Sequence, residues 1–148
     1  MDLILWRHAE AEDDAPGGDD MQRALTQRGE KQAARIAAWL DRQIADGVKI
    51  LCSPALRCEQ TVLPLGRKYK VHKELAPGTT PQAILDAAGW PKAKQPVLVV
   101  GHQPVLGETA ALLLGMNEGV SIRKGAVWWF RSHDDRVVLL AAQSPDTV

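Results

Sequence analysis

The sequence predicts an α/β domain of three layers: a mostly parallel central sheet, helices on both faces and a C-terminal hairpin. Three observations predict it. Strand-like and helix-like segments alternate three times, the pattern of a parallel sheet with crossover helices. The opening strand, Leu3 to Trp6, is a short unbroken apolar run, as expected of a strand covered on both faces. The last two strands are joined only by "SHDD", a link short enough to require an antiparallel hairpin.

The elements follow in order. After the first strand, "AEAEDDAPGGDD" reads as a loop punctuated by Pro16, Gly17 and Gly18. "LTQRGEKQAARIAAWLDRQIADG" reads as a helix, with Ala33, Ile36, Ala37, Leu40 and Ile44 on one face. Thr26 is its expected N-cap and Gly47 its expected stop. "VKILC" is the second strand. In "SPALRCEQTVLP", Ser53 suits a cap, Pro54 the first helical position and Pro64 the end or a kink. "TTPQAILDAAG" repeats these signals, with Thr80 before Pro81 and Gly89 after. "PVLVVGH" is the third strand. "QPVLGETAALLLG" is the helix after it, with Pro104 near its start and Gly115 past its end. "GAVWWFR" and "RVVLLAA" form the hairpin.

At 148 residues the chain is sized for one core, and it shows no internal repeat, low-complexity tract or linker. A single domain over residues 1–148 is expected. Lys plus Arg and Asp plus Glu number 18 each. A balanced chain has no overall field to attract nucleic acid or anionic membrane, so neither is an expected partner. No apolar run approaches a membrane span, and no basic segment leads an apolar signal core. The expectation is a cytoplasmic protein. Cys52 and Cys58 are the only cysteines. Their spacing suits neither a disulfide framework nor a four-ligand zinc site.

Cationic side chains recur where strands end. Arg7 and His8 follow the first strand, Arg57 lies in the first turn after the second, and His102 ends the third. Open α/β sheets bind ligands outside the carboxyl ends of their strands. If the strands are parallel neighbours, the four side chains converge there. Helical side chains lean back toward the helix N-terminus, which aims Arg57 at the same edge. Two arginines, two histidines and nearby helix starts describe an anion site, and the planar fork of arginine suits phosphate. Imidazole, with a reference pKa of ~6.5, is largely neutral near pH 7 and can act as a nucleophile. Attack on phosphorus would give a phosphohistidine, which water then hydrolyses. The remaining cations would stabilise the equatorial oxygens. This chemistry calls for no metal and no cofactor.

The blocks "LWRHAEAE", "LTQRGEKQA", "CSPALRCEQT" and "VVGHQPVLGE" occur in the order and spacing of the histidine phosphatase superfamily. The chain resembles its short branch, the SixA-type phosphohistidine phosphatases, from residue 1 to about residue 115. The resemblance implies a phosphoglycerate-mutase-like fold. It implies that His8 is the phosphorylated nucleophile and that Arg7, Arg57 and His102 form the phosphate pocket. The main-chain N–H of Gln103 is a further candidate phosphate donor.

Three features depart from the wider family. Ala9 stands where glycine is common after the nucleophile. Asp14 stands where larger mutase-type members carry an asparagine, and a carboxylate there would repel phosphate. The long insertion that supplies acidic residues in larger members is missing, which leaves Glu74, in "HKELAPG", as the nearest candidate acid. Ester cleavage expels an alkoxide and needs a proton donor. Phosphohistidine expels imidazole, a better leaving group once protonated. The sequence therefore favours phosphohistidine on a signalling phosphotransfer protein, such as a histidine phosphotransfer domain, as substrate. A general small-molecule phosphomonoesterase and a catalytically silent phosphate-binding scaffold are the alternatives.

Other residues carry weaker signals. Arg23, just before "ALT", is a candidate cleft residue or an ordinary solvated arginine. The acids from Glu10 to Asp20 read as a solvated loop or as a rim that selects a basic-flanked target, or else His8, Glu10, Glu12 and Asp14 form a divalent metal site that two arginines would oppose. Cys52 and Arg57 enclose four residues in "CSPALR", one too few for a cysteine phosphatase loop, so Cys52 is expected to be buried and inert. His72 and His133 have no motif support. Trp128 and Trp129 should point to opposite sheet faces and so form no stacking platform.

Overall fold

A computed structural model describes all residues, Met1–Val148. Six strands form one sheet: β1 (Asp2–Arg7), β2 (Lys49–Cys52), β3 (Lys70–Val71), β4 (Val97–Gly101), β5 (Val127–His133) and β6 (Arg136–Gln143). Their order is β3-β2-β4-β1-β5-β6. β1, β2, β3 and β4 are mutually parallel, β5 runs antiparallel to β1, and β6 returns antiparallel to β5. Four helices connect or follow the strands: α1 (Gln27–Gln43), α2 (Leu56–Val62), α3 (Pro81–Ala88) and α4 (Val105–Leu114).

The period-two alternation of a strand divides the core into two layers. Leu3, Leu5, Val97 and Val99 face α3 and α4, where Ile84, Leu85, Leu106 and Ala110 complete one cluster. Ile4, Trp6, Leu98 and Val100 face the other way, toward Ile36 and Leu40 of α1 and Cys58 and Val62 of α2. Trp128 packs against the first layer and Trp129 against the second, as the alternation requires. No helix is long and apolar enough to cross a membrane.

Two expected boundaries are corrected. α1 stops at Gln43, with Ile44 extended, and not at Gly47. Ile44 is buried in the core, and Arg67 reaches back to donate to the carbonyls of Ala45, Ile44 and Asp41. A distant arginine thus satisfies the helix end that glycine was expected to close. Pro54 is not the first helical residue, because α2 begins at Leu56. The Ser53 N–H still donates to the Val100 carbonyl at 3.0 Å, so strand pairing holds the chain extended past β2. By contrast, the Thr80 and Thr26 caps form as expected.

Candidate active site

β4 lies between β1 and β2, so the carboxyl ends of these three strands are adjacent. This brings Arg7, His8, Arg57 and His102 into one cluster. The His8 and His102 rings stand 5.3 Å apart between centroids. Both are almost fully buried, as is Arg57. The guanidinium charges of Arg57, Arg7 and Arg23 all act on the His8 ring.

The hydrogen bonds assign each ring a tautomer. His8 Nδ1 lies 2.7 Å from the Ala9 carbonyl. A carbonyl only accepts, so Nδ1 carries the proton and Nε2 keeps its lone pair. His102 Nε2 lies 2.7 Å from Ser53 Oγ. Ser53 is fully buried, and its Oγ accepts from the Ala55 N–H at 3.2 Å. Its own proton goes to His102 Nε2 at 2.7 Å, a stronger acceptor than the neighbouring Cys58 sulfur. The His102 ring proton is left on Nδ1, as a donor. Burial, reinforced by the surrounding cations, lowers the His8 pKa to about 4. Burial and the neighbouring His8 lower that of His102 to about 3. Both rings are thus neutral near pH 7, one with a free lone pair and one with a free N–H.

The two arginines are held by their outer nitrogens. Arg7 Nη1 donates to the Ile122 carbonyl at 2.9 Å. Arg57 Nη1 donates to the Asp20 carbonyl at 2.8 Å and its Nη2 to the Asp20 carboxylate at 3.1 Å. The Nε atoms of Arg7 and Arg57 are buried and donate to no protein acceptor. Buried donors are rarely left unpaired. Two orphaned guanidinium N–H groups beside two histidines suit the oxygens of a phosphoryl group.

Arg23 joins the cluster indirectly: its Nε donates to Asp20 Oδ1 at 2.8 Å and its Nη1 to the Glu12 carbonyl at 2.7 Å. Asp20 therefore ties Arg23 to Arg57. The Gln103 side chain is occupied structurally, accepting from the Gly107 N–H and donating to the Val120 carbonyl. Its main-chain N–H has no backbone partner. Glu74 is exposed on the turn after the edge strand β3, and no hydrogen bond or ion pair links its carboxylate to the cluster. Asp14 is exposed. The Ala9 methyl is buried against Leu25 and Ala33, where it need not crowd an anion. The Glu10 carboxylate accepts from the Thr26 hydroxyl at 2.7 Å. No group of three or more His, Cys, Asp or Glu side chains converges as a metal site would require. Burial raises the Cys52 thiol pKa and pushes that of Cys58 up to about 12, so neither is a thiolate near neutrality.

Sequence reasoning missed Asp20 and misread Ser53 as a helix cap. Asp20 carries a local signal, lying three residues before Arg23 in an acidic turn. Ser53 carries none, because its partner is 49 residues away.

Residues 3–79 match the model of the histidine phosphatase superfamily, branch 1. The chain belongs to this superfamily. Relatives within it include the phosphohistidine phosphatase SixA of Escherichia coli, 32% identical over 122 residues, covering 76% of this chain and 74% of that protein. A SixA homologue from Haemophilus influenzae is 30% identical over 136 residues, covering 82% of each. Among solved structures, the protein histidine phosphatase SixA complexed with tungstate superposes with a TM-score of 0.81 at 25% identity, covering 99% of this chain and 98% of that one.

Proposed function

We propose that the protein is a phosphohistidine phosphatase, one histidine phosphatase domain acting on a phosphorylated signalling protein in the cytoplasm. One observation carries the reading: the free lone pair of His8 Nε2 lies among cations whose buried N–H groups lack acceptors. Similarity to SixA proteins, one of them solved with the phosphate-like anion tungstate, supports the same reading.

The reaction runs in two displacements. Arg7 Nε, Arg57 Nε, His102 Nδ1 and the Gln103 N–H hold the phosphoryl oxygens, and Arg23 adds charge from behind Asp20. His8 Nε2 attacks phosphorus. The N–P bond of the substrate breaks, and its imidazole leaves carrying a proton. Water then attacks phospho-His8, which releases inorganic phosphate and restores the neutral ring. Glu74 enters only as an acid at the rim, and a protonated imidazole leaving group does not depend on it.

The test presents the enzyme with a phosphohistidine protein and, separately, with small phosphate esters, and traps acid-labile phosphoenzyme. Labelling at His8 and faster turnover of phosphohistidine are expected. Labelling that persists in His8→Ala overturns the nucleophile. Esters turned over faster point to a general phosphomonoesterase, and phosphate binding without turnover points to a scaffold. Turnover abolished by EDTA and restored by Mn²⁺ overturns the metal-free route.

A further inference from the structure

A cleft of about 300 Å³ opens beside the phosphate cradle, and Arg7 lines it. Its walls also carry Arg123, Lys124, Ser121 and Ser144, and Asp146 is its one acid. The chain as a whole is neutral, so this excess of positive charge is local.

The wall is built onto the end of β1. The Gly125 N–H donates to the His8 carbonyl at 3.1 Å and the Arg7 N–H to the Ala126 carbonyl at 3.0 Å. Trp6 Nε1 donates to the Gly125 carbonyl at 3.1 Å. Gly125 has φ +74°, and a Cβ there would stand 3.0 Å from Pro145 Cγ, so the turn admits only glycine without strain. Arg123 and Lys124 are exposed but carried on a backbone pinned beside His8. The acidic turn around Asp20 lies on the Arg57 side of the site. The segment bearing Arg123 and Lys124 enters β5, on the far side of β1 from β4 and β2. On the Arg57 side the cations are paired with Asp20, whereas Arg123 and Lys124 on the other side make no ion pair.

We propose that this cleft binds a carboxylate side chain flanking the phosphohistidine of the protein substrate. Two exposed cations and two hydroxyls surround a space of side-chain size, and Asp146 offsets only part of their charge. The phosphoryl group occupies the cradle while an acidic neighbour enters the cleft, which fixes the direction in which the substrate segment crosses the site. The inference rests on the phosphohistidine reading above.

The experiment uses two phosphohistidine peptides that differ only in flanking residues, Asp and Glu in one and Ala in the other. Wild-type enzyme is expected to turn over the acidic peptide with roughly tenfold higher kcat/KM, the size of modest electrostatic steering. Arg123→Glu with Lys124→Glu is expected to abolish or invert that preference and leave kcat/KM for free phosphohistidine within about twofold. Equal use of both peptides by wild type, or a preference that survives the charge reversal, overturns the inference. If neither peptide is turned over, the substrate reading fails. Peptide binding to His8→Ala, with and without the charge reversal, then decides the cleft alone by the same criterion.

Discussion

Asp20 grips Arg57 with two different oxygens, its carbonyl on Nη1 and its carboxylate on Nη2. The grip occupies the outer end of the guanidinium and leaves Nε, which is buried, as its donor without a protein acceptor. The same carboxylate accepts from Arg23, and those two arginines hold it below the usual carboxylate range. Asp20 thus fixes the orientation of the Arg57 guanidinium. Asp20→Ala should raise KM for a small phosphorylated substrate roughly three- to tenfold, since an ion pair with one exposed partner is worth about 1 kcal/mol. Asp20→Asn, which keeps an acceptor oxygen, should do less. Steady-state kinetics decides, and a lower KM in the alanine variant would mean that Asp20 competes with phosphate instead.

The pH behaviour follows from the buried rings. His8, lowered from 6.5 to about 4, is already neutral where a solvated histidine would be half protonated. kcat/KM reports the free enzyme, so its acid limb should lie near pH 4 and not near 6.5. Stability should move in the same direction. Below pH 6.5 the unfolded chain takes up protons that folded His8 and His102 refuse, so stability declines from there toward pH 4 and, for His102, toward 3. A pH–rate profile and Tm values from pH 7 to 4 measure both. A rate that halves at pH 6.5 would show that His8 is not the lowered, neutral nucleophile.

Ser53 governs which nitrogen of His102 can donate. With Ser53→Ala the Ala55 N–H loses its side-chain acceptor and His102 Nε2 keeps only the Cys58 thiol at 3.5 Å, a weaker partner that no longer fixes the tautomer. A loss of about tenfold in kcat is expected, in line with weakening one donor to a developing charge, with less change in KM. Ser53→Thr, which keeps the hydroxyl, should recover most of the rate. If serine merely packed, alanine would change Tm and spare kcat.

Gly107 controls the approach of α4 to the segment leading into β5. A Cβ there would overlap the Val120 carbonyl, and the Val120 N–H donates back to the Gly107 carbonyl at 3.0 Å. Gly107→Ala should cost about 1–3 kcal/mol as an overpacked contact, lowering Tm by roughly 3–10 °C for a chain of this size. A melting curve tests it, and an unchanged Tm would show that the segment yields freely.

Much of this molecule is legible along the chain because its signals are local. The Thr80–Pro81 start and Gly89 stop of α3, the Pro104 and Gly115 bounds of α4, and the "SHDD" turn each depend on residues within a few positions. The four site residues were legible because parallel strands with crossover helices force their carboxyl ends onto one edge. Boundaries set from a distance were not. α1 ends at Gln43, where Arg67 caps it, and α2 starts late because Ser53 is still paired to β4. The two-residue β3 is too short for any periodic signal.

The amino-acid order was enough to place two arginines and two histidines at the mouths of three strands and so to point at phosphate chemistry. It could not say which nitrogen of each histidine is free, which nitrogen of each arginine lacks an acceptor, or that Asp20 belongs to the site. Those depend on hydrogen bonds between residues 37 and 49 positions apart, Arg57 with Asp20 and Ser53 with His102. Such bonds exist only once the sheet has set β2, β4 and β1 side by side. Burial of the same groups then lowers the histidine pKa values, because desolvation is a property of the packed molecule and not of a segment.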